Sequence, residues 1–242
     1  MYINDAFDKL QTAVGKPFHE FLSNDIAIEY WNKGRVGQAL EAFIGLRQGN
    51  HITDFVDGEM KTNSVGTLKT TQKYCSKYGW GPKETMALRS ITGVFDDMVS
   101  NSPTPFKDSG FWKKSKTLLY VPINRDAGKN NPHLWFIPGI FLLDFYWDED
   151  IQWALGGDYD DICSTLRHQC LTQEFITNVT GKNGYLQCRL KDSKNKNGTY
   201  NPIFSKTFQR YVSKTNYSLW FRELFMKDII DGEIPSLRVA IA

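Results

Sequence analysis

The residues whose types and spacing could do chemistry stand together at Asp54-Phe55-Val56-Asp57-Gly58-Glu59-Met60-Lys61-Thr62. Read as a strand entered through a turn at Asp57-Gly58, this stretch places Glu59 and Lys61 on one face and turns Met60 into a core, because alternate side chains of a strand share a face. Asp54 precedes them across a short loop and can fold back beside Glu59. Two carboxylates converging on one point favour a hard divalent cation such as Mg2+, which takes oxygen ligands. Phosphodiester hydrolysis uses those parts. A metal neutralises the phosphate and lowers the pKa of the attacking water, and a neighbouring lysine orients that water or stabilises charge in the transition state. Asp54 and Glu59 are therefore the metal candidates, with Lys61 beside them. On spacing alone the same residues also describe an exposed strand edge with a surface ion pair, worth about 0–1 kcal/mol.

The elements that must position this group can be read along the chain. Apolar spacing and the break at Gly15-Lys16-Pro17 predict an interrupted helix over residues 3–22, followed by a short helix over 26–31. Val36, Leu40, Phe43 and Ile44 recur at helical spacing, with Gly45 at the end. Strands are expected at 55–62 and 117–123, and an apolar run at 134–145 is broken by Pro138-Gly139. Further on, a helix is expected over 158–169, a strand over 184–190, a polar loop over 191–201 and a late helix over 215–230. The chain thus reads as α/β with a central sheet.

Composition narrows the class of protein. The chain has 242 residues, 41% hydrophobic and 23% charged, as in globular proteins. Its net charge of +2 neither supports nor excludes a nucleic-acid partner, for which a local positive face matters. Charge is distributed unevenly. Residues 182–214 hold eight Lys and Arg against Asp192 alone, and residues 144–161 hold seven Asp and Glu with no basic residue; each run also fits a solvated face. Cys75, Cys163, Cys170 and Cys188 form no CxxC pair and stand at no zinc spacing, which fits reduced thiols and a cytoplasmic setting. The first 22 residues are mixed in charge and unlike a signal peptide, and no apolar run approaches a membrane span. There is no GxGxxG or P-loop and no G-x-S-x-G elbow, which leaves a small-molecule enzyme with little support.

Three blocks in order resemble the MutH family of DNA endonucleases, a family of mismatch-repair nicking enzymes and type II restriction endonucleases with a PD-(D/E)xK core. Lys33-Gly34-Arg35-Val36-Gly37-Gln38-Ala39-Leu40-Glu41 looks like the family's Lys-Gly-x-x-Gly-x-x-x-Glu helix, and the likeness assigns an active-site role to Glu41. Gly58-Glu59-Met60-Lys61-Thr62 resembles Gly-x-Glu-Leu-Lys-Thr with one residue missing, after a shortened loop and with no proline before Asp54. These departures leave both Asp54 and Asp57 as candidate metal ligands; Asp54 is preferred because Asp57 sits in the turn. Phe111-Trp112-Lys113-Lys114 is similar to the family's Trp-x-Lys segment and assigns a second catalytic lysine to Lys114.

Two weaker matches concern DNA. Residues 184–191 resemble Gly-Glu-Tyr-Leu-x-x-Arg-Pro-Lys, with Leu190 in place of the proline, which implies DNA contacts for Arg189 and Lys191. Residues 208–214 resemble Phe-Tyr-Leu-Lys and place Tyr211 and Lys214 near DNA, although Tyr211 also reads as a buried structural tyrosine. The likeness covers residues 30–217. It implies a restriction-endonuclease-like central mixed sheet flanked by helices, with a DNA-reading lobe: one domain over 1–242, a catalytic lobe at about 25–125 and a DNA-reading lobe at about 155–230, with double-stranded DNA between them. The expected activity is that of a Mg2+-dependent type II restriction endonuclease acting at a short site such as GATC. The alternatives are a methylation-sensing repair nickase and a non-catalytic DNA-binding module of the same fold. The family precedent favours a monomer, with a transient dimer on DNA also compatible with a palindromic site.

Overall fold

The computed structural model describes residues 1–23, 25, 36–46, 53–67, 73–128, 130–191, 194 and 197–242. The helix expected over 26–31, and Lys33, Gly34 and Arg35 of the first resembling block, lie outside the described residues. The chain divides into two compact units. The first takes Met1–Met86, Lys114–Trp147 and Met226–Ala242, and the second takes Ala87–Lys113 and Asp148–Phe225. The lobe boundaries read from sequence cut across this division, because residues 87–113 fold with the second unit.

In the first unit the near-continuous apolar run at residues 118–123 forms the central strand β4 (Thr117–Asn124), which is buried on both faces. It pairs in parallel with β1 (Glu59–Thr67), in the register Glu59 to Leu118 and Lys61 to Tyr120. On its other side it pairs antiparallel with β5 (Gly139–Asp144). Pro122 has no amide to donate and lies beyond the last residue paired with β5, which is how a central strand accommodates it. With β2 (Trp80–Pro82) and β11 (Arg238–Ile241) at the edges, the order is β11-β5-β4-β1-β2, a mixed sheet.

Helices α1 (Ile3–Gln11), α2 (Phe18–Phe21) and α3 (Val36–Ile44) bury Phe7, Leu10, Phe18, Val36 and Leu40 against Met60, Leu119 and Val121 of this sheet. The interruption between α1 and α2 falls at Gly15, which takes φ +79°. Strand β1 starts at Glu59 rather than at residue 55, because residues 53–58 are held as a loop: the Phe55 amide donates to the Gly58 carbonyl at 2.9 Å, and the Phe55 ring sits in the core.

The second unit contains the four-stranded sheet β3-β10-β7-β6, made of β3 (Met86–Ser90), β6 (Val179–Thr180), β7 (Leu186–Leu190) and β10 (Tyr217–Phe221), and a two-stranded ribbon, β8 (Ile203–Ser205) with β9 (Arg210–Ser213). Its helices are α4 (Phe95–Val99), α5 (Gly110–Ser115), whose last turn belongs to the first unit, and α6 (Glu149–Thr172). Two sequence expectations are corrected. Residues 217–221 form β10, and the late helix α7 is confined to Glu223–Asp231. Tyr217, Leu219 and Phe221 alternate into the core at strand period, and pairing with β7 overrides the helical reading. The helix expected over 158–169 extends across Glu149–Thr172, with the Asp148 side chain accepting from the Ile151 amide at its start.

Asp158 is an exception within the acidic run, of which Glu149, Asp150 and Asp160 are exposed. It is 0% exposed, and its carboxylate accepts the backbone amides of Asn183 at 2.5 Å and of Tyr185 and Leu186, each at 2.8 Å. It thereby fixes the turn that opens β7, where Gly184 takes φ +79°. Removing a buried acceptor strands its donors at about 1–3 kcal/mol each. Asp158→Ala is expected to lower unfolding stability by about 3 kcal/mol or more, and Asp158→Asn, which keeps one acceptor oxygen, by less. Urea unfolding of the two variants checks this; wild-type stability in Asp158→Ala would contradict it.

Candidate active site

The candidate group lies in the first unit, at the start of β1. Strand β2 pairs with Val65, Gly66 and Thr67, so among the described residues the first half of β1 has β4 as its strand partner on one side only. Asp54 takes part of the open side. Its carboxylate accepts the Met60 amide at 3.0 Å, and its own amide donates to Glu59 Oε2 at 3.2 Å. The loop that returns it is pinned by the buried Phe55 ring and by Thr53 Oγ1, which donates to the Phe55 carbonyl at 2.8 Å. Gly58 permits the tight entry into the strand. A Cβ there would stand 2.7 Å from Ile3 Cδ1 and 2.8 Å from the Thr117 carbonyl oxygen.

Asp57 is engaged elsewhere: its carboxylate accepts the amide of Ile3, the first residue of α1, at 2.9 Å. Of the two candidate acids in this loop, Asp54 is the one brought beside Glu59.

Glu59 is the centre of the group and is 1% exposed. Both Lys61 and Lys114 donate to its Oε1, Lys114 at 3.2 Å. Lys61 reaches it from the same strand face, two residues on. Lys114 reaches it from the end of α5, three residues before β4, because the register sets Leu118 opposite Glu59. Glu41 approaches from α3. Gly37, one turn earlier on that helix, would place a Cβ 3.6 Å from Thr62 Oγ1, so the Gly37 and Glu41 face lies toward β1.

Burial first, then the nearby Glu59 charge, pushes the Asp54 carboxyl above the usual carboxylate range, against the pull of Lys61, the Met60 amide and Lys114. Burial and then the Asp54 charge raise Glu41 in the same way, with Lys61 opposing. Among the described residues, no cluster of three or more His, Cys, Asp or Glu side chains stands at ligand spacing. The pair Asp54 and Glu59 still suits Mg2+, which is commonly held by one or two carboxylates. The donors are hard oxygens, and a cation would offset the burial and the Glu59 charge that raise Asp54.

The four residues tied to DNA by sequence all lie in or beside the strands of the second unit. Arg189, on β7, is exposed, with its guanidinium 5.4 Å from the centre of the Trp220 ring. Lys191 follows β7, its amide donating to the Asn216 carbonyl at 2.9 Å. Lys214 is exposed, its ammonium 4.9 Å from the Phe175 ring centre. Tyr211 is 57% exposed, which corrects its reading as a buried structural residue. Phe204, opposite Tyr211, was not singled out in the sequence; Ile203-Phe204-Ser205 is too short a run to show strand period. The four cysteines are unpaired, three of them buried. Among the described residues, no helix is long and apolar enough to cross a membrane.

No protein-family model and no curated protein matches the chain.

The raised carboxyls have a consequence for stability. A carboxyl whose folded pKa exceeds its unfolded value contributes stability below the unfolded pKa and loses that contribution as pH rises through the folded pKa. In EDTA at pH 8, Asp54→Asn, which keeps an acceptor for the Met60 amide, is therefore expected to melt above wild type. A difference of about 2–4 °C corresponds to 1 kcal/mol in a chain of this size, and it should shrink as pH falls toward the ordinary carboxylate range. A variant that melts below wild type at pH 8 and shows no pH trend would contradict the assignment.

Proposed function

We propose that this chain is a Mg2+-dependent DNA endonuclease of the MutH type, acting as a type II restriction endonuclease at a short specific site, with GATC as the first candidate. The observation that carries the reading is the convergence of Asp54, Glu59, Lys61 and Lys114, with Glu41 approaching from α3, on the strand start where the PD-(D/E)xK resemblance expects them. A structural ion pair needs one acid and one base. Two lysines donating to one buried carboxylate oxygen beside a second carboxylate make a denser group than that. The wider resemblance to a restriction-endonuclease-like fold with a DNA-reading lobe belongs to the same proposal.

Magnesium bound by Asp54 and Glu59 would neutralise the scissile phosphate and lower the pKa of the attacking water. The residues of the chain do the rest. Glu59 fixes the ammonium groups of Lys61 and Lys114 at its Oε1, so their orientation is set before substrate arrives. Lys61 orients the water for in-line attack, and Lys114 stabilises negative charge on the phosphoryl oxygens. Attack breaks the P–O3′ bond, and the leaving 3′ oxygen takes a proton, giving a 5′-phosphate and a 3′-hydroxyl. Glu41, half-buried on α3, feels the Asp54 charge and adds negative charge on that side of the group. Arg189 suits a bidentate contact with guanine, while Lys191 and Lys214 suit phosphate.

Supercoiled plasmid incubated with the purified chain and Mg2+ should yield discrete fragments, with none in EDTA. Glu59→Ala should reduce the rate by about a thousandfold or more, as loss of a group essential to transition-state stabilisation does. Full activity in Glu59→Ala would refute this active site, and persistent nicks without double-strand breaks would assign a nicking enzyme instead.

A further inference from the structure

The ribbon β8–β9 in the second unit has two unlike faces. Ile203 and Val212 are fully buried, while Phe204 and Tyr211 point outward, 47% and 57% exposed. The two outward rings are register partners, with centroids 5.2 Å apart and planes at 76°. Adjacent apolar groups left in solvent are the kind of feature that marks an interaction surface.

The ribbon is firmly held. At its tip, the Asp96 carboxylate on α4 accepts Ser205 Oγ at 2.6 Å and the amides of Lys206 at 3.0 Å and Thr207 at 2.9 Å. These bonds draw the Asp96 carboxyl below the usual range although burial opposes them. At the same end, Arg210, the register partner of Ser205, donates from its guanidinium to the carbonyls of Cys170 and Gln173, each at 2.7 Å, at the end of α6. The aromatic pair is thus presented on a fixed support.

Charge selects the occupant. Residues 193–222 carry Lys194, Lys196, Lys206, Arg210, Lys214 and Arg222 and no carboxylate, which favours a polyanion over a second protein surface of mixed charge. A two-stranded ribbon fits the major groove of B-DNA, and the one apolar group displayed on the base edges there is the thymine C5 methyl. We propose that the β8–β9 ribbon enters the major groove of the DNA substrate and that Phe204 and Tyr211 read thymine through its methyl group. This rests on the reading of the chain as a DNA endonuclease, and it assigns a base-reading role to Phe204, which the resemblance does not touch.

The test uses the full chain in EDTA and one duplex carrying a mapped cleavage site, prepared once with thymine and once with uracil throughout. Wild type should bind the thymine duplex about tenfold more tightly, the scale of one to two buried methyl groups. Phe204→Ala and, independently, Tyr211→Ala should bind both duplexes at the weaker level with unchanged melting temperature. Lys206→Ala should weaken both equally and reduce the salt slope by about one. Equal binding of the two duplexes by wild type, or a retained preference in Phe204→Ala, overturns the proposal while leaving the endonuclease reading intact. Equal binding together with a change of oligomeric state in Phe204→Ala would give the ribbon to a second copy. No DNA binding or cleavage by wild type overturns both readings.

Discussion

The buried carboxylate of Glu59 is the constraint around which the first unit is built. An ionised carboxylate removed from water costs several kcal/mol unless it is paired and hydrogen-bonded. Glu59 meets that requirement with three donors: two ammonium groups on Oε1 and the Asp54 amide on Oε2. Each donor imposes a structural demand. Lys61 requires the strand to continue in alternation, Lys114 requires α5 to end just before β4, and Asp54 requires the loop to fold back along β1. The parallel pairing of β1 with β4 satisfies the first two together, because it brings the start of both strands to the same edge of the sheet.

What results is a site with unequal charges. Glu59 is neutralised by its lysines, whereas Asp54 and Glu41 are left with raised carboxyls beside it. Burial first, and then neighbouring charge, raises both carboxyls, and a small cation beside them would oppose that shift. The loop geometry that holds Asp54 in place is shared with the core: Phe55 is buried among α1, α3 and β1, and Asp57 caps α1. A change that loosens α1 would therefore be felt at Asp54.

Much of this was legible in the sequence, and the reasons differ by residue. Glu59, Met60 and Lys61 were readable because strand alternation is local, and the apolar run of β4 because it is long. Glu41 and Lys114 came from resemblance alone; nothing in their spacing tells that helix and strand register will carry them to Glu59. The choice between Asp54 and Asp57 depended on a hydrogen bond to Ile3, more than fifty positions away. The anchoring role of Asp158 was not legible for a related cause: a carboxylate in an acidic run looks solvated until the turn it anchors is known. Residues 217–221 were misread as helix because a short buried strand and a helix segment share an apolar signature, and only pairing with β7 separates them.

The second unit shows the same dependence on anchored turns. Asp158 sets the start of β7, and Asp96 and Arg210 both hold the turn end of the β8–β9 ribbon. Exposed cations and aromatic rings therefore rest on supports made by hydrogen-bonded charged side chains. The claim on which the account turns is that the acids at the start of β1 form a cation site. Isothermal titration of Mg2+ into the purified chain at pH 8, beside Asp54→Asn, tests it most directly. The account predicts saturable binding in wild type that is lost in the variant; equal binding in both, or none in wild type, would contradict it.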